Sequence, residues 1–144
     1  MSFQWLTMRI QEERERRDRE TAMLARLPLA LEELHANIKD CVNAYTSQFG
    51  PETAEIVLLP SRIKVTAREE REGRWQPSAK GEVIVVPEIP GFRIERGEYS
   101  VAIEVGLLPS ENLFYRDREQ NVYVTLEDLT KRILDRVLFP KLTE

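Results

Sequence analysis

Apolar residues in the first third of the chain recur at spacings of three and four, which places them on one side of a helix. The residues of this stripe are Leu24, Leu27, Leu31, Leu34, Ile38, Cys41 and Tyr45. Phe49 ends the pattern, Gly50 can adopt the left-handed conformation after the last turn, and Pro51 cannot continue a helix. The pattern predicts a helix with one buried edge that ends at Phe49, so that residues 1–50 form a helical region.

A charged segment precedes this stripe. Residues 11–20 contain no apolar side chain, and several Glu and Arg residues stand four apart in the order that favours a solvated helix. A second apolar cluster lies beyond it, formed by Phe3, Trp5, Leu6 and Ile10. If the charged segment is helical, this cluster lies away from the core and needs a second copy or another protein to cover it. The alternative is that the chain bends at Pro28, where we expect a kink or a helix start, and folds back on its own domain.

From Ala54 onward apolar and polar residues alternate, which is typical of strands with one solvated face. The clearest strands are 62–68, 82–86, 99–107 and 122–125, with weaker candidates at 54–59 and 113–118. Glycines and prolines between them favour short antiparallel connections, including a hairpin tip at 69–73. Arginines and glutamates share these strands, so we expect them to pair with one another across the sheet.

The last element is a helix that Thr125 can cap, with an apolar stripe from Leu126 to Leu138 and a stop at Pro140. The order of helix, strands and helix predicts one α+β domain over residues 1–144, with a helical region (1–50) and a sheet plus C-terminal helix (51–144). We expect a long or kinked N-terminal helical region and a mostly antiparallel sheet of about four to six strands, with the C-terminal helix on one sheet face. This outline is similar in architecture to that of small secretion chaperones.

Composition narrows the functional class. The 144 residues carry a net charge of −4 with one Cys and one His, which argues against a nucleic-acid-binding protein and against a disulfide framework. No apolar run approaches the length of a membrane span and the N-terminus lacks a signal-peptide pattern, so we expect a cytoplasmic protein without a membrane partner.

The sequence contains no recognisable catalytic or phosphate-binding motif, and it predicts no cofactor and no metal site. His35 stands beside the helical stripe without a partner at ligand spacing. A further alternative is an enzyme with a site outside known motifs that uses Tyr115, Arg116, Asp117 and Arg118, which only the chemistry of these residues suggests. We therefore expect a protein that is not catalytic.

We predict an adaptor-like or chaperone-like protein that acts as a homodimer or within a larger assembly. Its predicted interaction residues are Phe3, Trp5, Leu6 and Ile10, together with Trp75, which we place in a loop. The alternative is a protein that binds a small lipophilic ligand in a cavity between sheet and helix. Residues that could line such a cavity are Ile63, Val65, Tyr99, Val101, Ile103 and Tyr123.

Overall fold

The computed structural model describes residues 3–60, 62–108, 110 and 112–142. It consists of a long helix α1 (Gln4–Phe49), a run of strands and a C-terminal helix α2 (Leu126–Leu138). The strands are β1 (Ala54–Leu59), β2 (Arg62–Arg71), β3 (Arg74–Glu88), β4 (Gly91–Arg96), β5 (Tyr99–Leu107), β6 (Leu113–Asp117) and β7 (Val122–Val124). The fold is α+β, as the sequence predicts.

Within the described ranges, seven strands form one sheet in chain order, and every neighbouring pair is antiparallel. The inward face alternates as expected, so that Ile63 on β2 lies level with Val85 on β3, and Phe92 on β4 with Ile103 on β5. Both helices cover this single face. The core therefore lies in one layer between the sheet and the two helices.

The outward face carries pairs of opposite charges. Arg68 pairs with Glu55, Arg116 with Glu104 at 2.5 Å, and Lys64 with Glu82 at 3.5 Å. Arg93 contacts both Glu88 and Glu95, at 2.9 and 2.7 Å. The expected pairing of strand arginines with glutamates is thus found at these positions, and both signs of charge are present on this face.

The number of strands is higher than the sequence predicts. Strand β4 was not expected because Pro90 and Gly97 enclose its short alternating pattern, and β3 begins well before the predicted 82–86. The loop predicted around Trp75 is also wrong: Trp75 lies in β3, opposite Glu70 in β2. The two residues between these strands, Glu72 and Gly73, form the tight turn with positive φ values of 54° and 74°. A hairpin turn is therefore present within the predicted 69–73, but it is shorter than predicted, because residues 69–71 continue strand β2.

Helix α1 continues through Pro28, so the helix does not begin at this residue. Pro28 is exposed, whereas Leu27 and Ala30 on either side are buried against the core. Packing on both sides of the proline therefore holds the helix together despite the missing N–H. The helix ends at Phe49, and Gly50 follows with a φ of 113°, as predicted.

Two members of the predicted stripe lie outside the core. Leu24 and Cys41 are exposed. Desolvation of the Cys41 thiol by the surrounding protein, and then the nearby Asp40 and Glu127 carboxylates, raise the pKa of this thiol. The buried residues of α1 are Leu27, Ala30, Leu34, Ile38 and Val42. In α2 the predicted stripe is buried from Leu129 to Leu138, and Thr125 caps the helix by accepting a 3.1 Å hydrogen bond from the Asp128 N–H.

Candidate functional site

The first turns of α1 extend beyond the core of the domain. No residue of α1 before Leu27 is buried in the described part of the chain, and Met23 is the first that packs against the core. We call residues 3–22 the arm; as a helix this segment is about 30 Å long. Its large apolar side chains are exposed: Phe3 by 60%, Trp5 by 68%, Leu6 by 40%, Met8 by 58% and Ile10 by 46%.

The middle of the arm is a network of ion pairs along one helix. The Arg16 guanidinium lies 2.7 Å from both Glu13 and Glu20, and Arg17 lies 3.1 Å from Glu13. Hydrogen bonds from Arg16 and then Arg17 lower the pKa of Glu13 to about 2, so this carboxylate is charged throughout the neutral range. Between residues 9 and 20 the arm carries five arginines and five acidic residues, which makes it soluble with no net charge.

A groove of about 290 Å³ lies where the arm meets the domain. We call it the shoulder groove. Its walls come from α1 and from the ends of β5 and β6, and they are largely apolar with arginines at the rim. The lining residues are Arg19, Ala22, Met23, Arg26, Val105, Gly106 and Leu113. The arm and the shoulder groove are therefore adjacent, and together they form the candidate interaction site.

Trp75 belongs to another part of the molecule. It lies on the β2–β3 hairpin and is 40% exposed. That hairpin adjoins the C-terminal end of α1, where Arg68 and Ser78 line a cleft with Tyr45 and Phe49. The arm is at the opposite end of the same helix. The structure does not bring Trp75 together with the other four predicted interaction residues.

The predicted ligand cavity is only partly present. Ile63 and Val65 are fully buried core residues, and Val101 and Ile103 are buried in β5. Tyr123 is 70% exposed and lies level with Arg116 on the outward face, with its ring centroid 5.6 Å from that of Phe114. The prediction that Tyr123 lines a cavity with the others is therefore wrong, because the β7 register turns it to the other side of the sheet.

A cleft of about 480 Å³ does open between α2 and strands β4 to β6. Three of the predicted residues, Tyr99, Val101 and Ile103, line it. Its rim is charged, with Arg96, Lys131, Arg132 and Arg136 beside Asp117, Asp128 and Asp135.

The basic part of this rim brings together residues from distant elements. Arg96 lies over the Tyr99 ring at 5.0 Å, and burial together with the charge of Arg136 lowers the pKa of Arg96. The cleft is therefore amphipathic, with an apolar floor and a rim of mixed charge in which Arg96 and Arg136 lie near each other. The rim was not predicted because Arg96 and Arg136 lie on different elements that are far apart in the sequence.

The four residues proposed for an enzymatic site are held apart by structural contacts. Tyr115 is buried and donates a 3.3 Å hydrogen bond to Glu33 on α1, whereas Asp117 is bound to Arg132 on α2 at 2.7 Å. Arg116 lies on the outward face with Glu104, and Arg118 is exposed. No shared pocket brings these side chains together in the described ranges. His35 is half-buried at the edge of the α1 stripe.

No known protein family matches this chain, and neither a curated protein nor a solved structure shows significant similarity to it. Across the described residues, no helix is both long and apolar enough to span a membrane. In the same part of the chain, His, Cys, Asp and Glu side chains form no group that could hold a metal ion.

Proposed function

We propose that this protein is a non-catalytic interaction protein that self-associates through its N-terminal arm. The observation that carries the proposal is the position of Trp5 and its apolar neighbours, exposed on a helix that runs beyond its own sheet. Exposed aromatic and aliphatic side chains in one cluster are typical of a protein–protein contact. The fold-back alternative would require a helix break near Pro28, and α1 is continuous there.

The charge of the arm favours a second copy over an unrelated partner. Basic and acidic residues are equal in number between residues 9 and 20, so the segment neither attracts nor repels a strongly charged protein. A segment with equal numbers of basic and acidic residues can pair with the same segment of a second copy when residues of opposite charge face each other. The apolar residues at Phe3–Ile10 would then supply most of the affinity, because exposed ion pairs contribute little.

Sedimentation equilibrium of two variants of the full chain tests the proposal. The double substitution Trp5→Ser with Leu6→Ser removes two neighbouring apolar groups of the arm that lie outside the core of the monomer. We expect it to weaken self-association at least tenfold without loss of helicity. Leu29→Ser is the matched control, because Leu29 is an exposed apolar residue on the same helix outside the arm. Equal association of all three proteins would refute the proposal.

A second candidate function is supported by the cleft at α2. Its volume of about 480 Å³ suits a small organic molecule, and the apposition of Arg96 and Arg136 favours an anionic group on it. The apolar floor of Val101 and Ile103 would contact the rest of the ligand. Calorimetry with an aromatic carboxylate as the probe, compared with the Arg136→Gln variant, tests this role. Binding that is weakened by the substitution supports it, and no binding to the unchanged protein excludes that ligand class.

A further inference from the structure

Alternating steps of four and three, the spacing at which two supercoiled helices stay in contact, lead from the packed face of α1 along the arm. Leu27, Ala30 and Leu34 mark this face within the domain. Such steps toward the N-terminus from Leu27 give the corresponding residues along the arm. They are Met23, Glu20, Arg16, Glu13, Arg9 and Leu6. We call these six residues the arm seam; it is apolar at both ends and charged in the middle.

The charges of the seam are complementary to those of a second arm that runs in the opposite direction. When two copies of the arm lie antiparallel with Glu13 level with the partner's Arg16, every charged seam residue meets the opposite sign. The layers of this register are Leu6 with the partner's Met23, Arg9 with the partner's Glu20, and Glu13 with the partner's Arg16, each occurring twice by symmetry. A two-fold axis between residues 14 and 15 generates all of them, as a closed dimer requires.

The residues beside the seam also meet across the pair, and Glu12 there again faces the opposite charge. In an antiparallel helix pair, a residue that flanks the seam meets a flanking residue of the partner that is displaced by two positions from its own level. This geometry brings further pairs of side chains into contact. These contacts are Glu12 with the partner's Arg19, Phe3 with the partner's Leu24, Trp5 with the partner's Arg26, and Ile10 with the partner's Arg17. Leu24 is an exposed residue of the predicted stripe that its own domain leaves uncovered, and here it acquires an apolar neighbour.

The register also places the apolar end of one arm at the shoulder groove of the other copy. Met23 and Arg26 both line that groove, and they are the residues that the partner's Leu6 and the partner's Trp5 would meet. An indole ring against the Arg26 guanidinium gains a cation–π contact in addition to apolar burial. The groove volume of about 290 Å³ is suited to one large side chain and part of a second.

We infer that two copies pair through antiparallel arms in this register, and that the shoulder groove of each copy receives Trp5 and Leu6 of the other. This inference rests on the proposed self-association and specifies its geometry. A parallel, in-register pair would instead place each seam charge level with the same charge of its partner. Such a pair would also leave both shoulder grooves without an occupant. The N-terminal apolar residues of the two arms would instead lie together, at the end of the arms that is away from both domains.

Cysteine cross-linking tests the register. In a Cys41→Ser background, Arg9→Cys and Glu20→Cys proteins are prepared separately, mixed to allow subunit exchange and then oxidised. Both positions are on the arm outside the buried core, so neither substitution should affect folding. We expect a disulfide-linked dimer of one Arg9→Cys chain with one Glu20→Cys chain, identified by intact mass. Each variant alone should give little cross-linked product.

The possible outcomes separate the two proposals. Efficient cross-linking of each variant with itself would indicate a parallel pair and overturn the register, as would a dimeric protein with no cross-link at all. A protein that is monomeric before oxidation would overturn the proposed self-association itself.

Substitution in the groove supplies an independent test. Ala22 lines the shoulder groove and is exposed, so Ala22→Arg fills the groove without disturbing the core. We expect this variant to weaken self-association at least tenfold. Ala36→Arg is the matched control, because Ala36 is also exposed on α1 but lies within the domain portion of the helix. Equal self-association of the two variants would show that the groove does not receive the partner's arm.

Discussion

The side-chain amide of Asn37 on α1 donates a 2.8 Å hydrogen bond to the hydroxyl oxygen of Thr130 on α2. The Thr130 hydroxyl in turn donates to the Leu126 carbonyl at 2.8 Å. Thr130 is buried, so this short chain of polar groups joins the two helices inside the layer that covers the sheet. Together with the buried apolar residues of α2, it holds α2 against α1, the helix from which the arm extends.

Substituting Thr130 with Val should destabilise the domain while keeping its shape. The side chain keeps its volume, but the Asn37 amide loses its acceptor, and a partly buried unpaired donor costs about 1–3 kcal/mol. Chemical denaturation of the variant measures this loss. Ser47→Ala is the control, since Ser47 bonds only to the Asn43 carbonyl on the exposed face of α1 and should change the free energy of unfolding by less than about 0.5 kcal/mol. Equal stability of Thr130→Val and the unchanged protein would contradict this role.

Asp117 should be more important for stability than its surface-facing partner. Its Oδ1 accepts hydrogen bonds from the backbone N–H groups of Glu119 and Gln120, at 2.9 and 3.0 Å, and its Oδ2 pairs with Arg132. Asp117→Ala leaves the two N–H groups without this acceptor, and we expect a loss of about 2–4 kcal/mol. Asp117→Asn retains one acceptor oxygen and should lose less. Thermal unfolding would contradict this account if Ala and Asn behaved alike.

Tyr115 should make the domain sensitive to alkaline pH. Burial and then the Glu33 carboxylate raise the pKa of Tyr115 above its usual value of 10. Above pH 10 the tyrosine ionises in the unfolded chain but stays protonated in the folded one, so the folded state binds the additional proton. The free energy of unfolding should therefore fall as pH rises beyond 10. The Tyr115→Phe variant should show a shallower fall in this range, measured by urea denaturation at several pH values. An identical slope in both proteins would show that Tyr115 does not contribute.

Charge reversal in the arm should give two proteins that pair only with each other. In the proposed register, Glu12→Arg with Glu13→Arg places arginine against arginine in a homodimer, and Arg16→Glu with Arg19→Glu places glutamate against glutamate. Like charges in these layers are destabilising, so each variant alone should be mostly monomeric. A mixture restores opposite signs in the central layers and should form a heterodimer, which native mass spectrometry can identify. Homodimers as stable as the original protein would contradict the charge argument.

The period of the sequence predicted the elements whose faces are clearly divided between core and solvent. Helix α2, strands β2 and β5 and the end of α1 at Phe49 are such elements, and the structure confirms them. The ten-residue charged segment could be recognised as a solvated helix because it has no apolar face and its Glu and Arg residues stand four apart. Trp5 and Leu6 are exposed on the same helix before this segment, as the interpretation of a separated apolar cluster required.

The remaining features depend on contacts that a local pattern does not contain. The buried face of α1 follows the predicted stripe only approximately: after Ile38, burial passes to Val42 rather than Cys41. The reason is that a straight helix has 3.6 residues per turn and drifts away from a strict alternation of three and four. Strand β4 was hidden by the turn residues that enclose it. The charged rim of the α2 cleft and the shoulder groove join residues from distant elements, so only the folded chain reveals them.

The molar mass of the unmodified chain in solution tests the central claim most directly. Light scattering coupled to size exclusion, over a range of loading concentrations, distinguishes one chain from two. Self-association through the arm predicts a mass that approaches twice the 16.8 kDa of a single chain as the concentration rises. A mass of one chain at every concentration would contradict it.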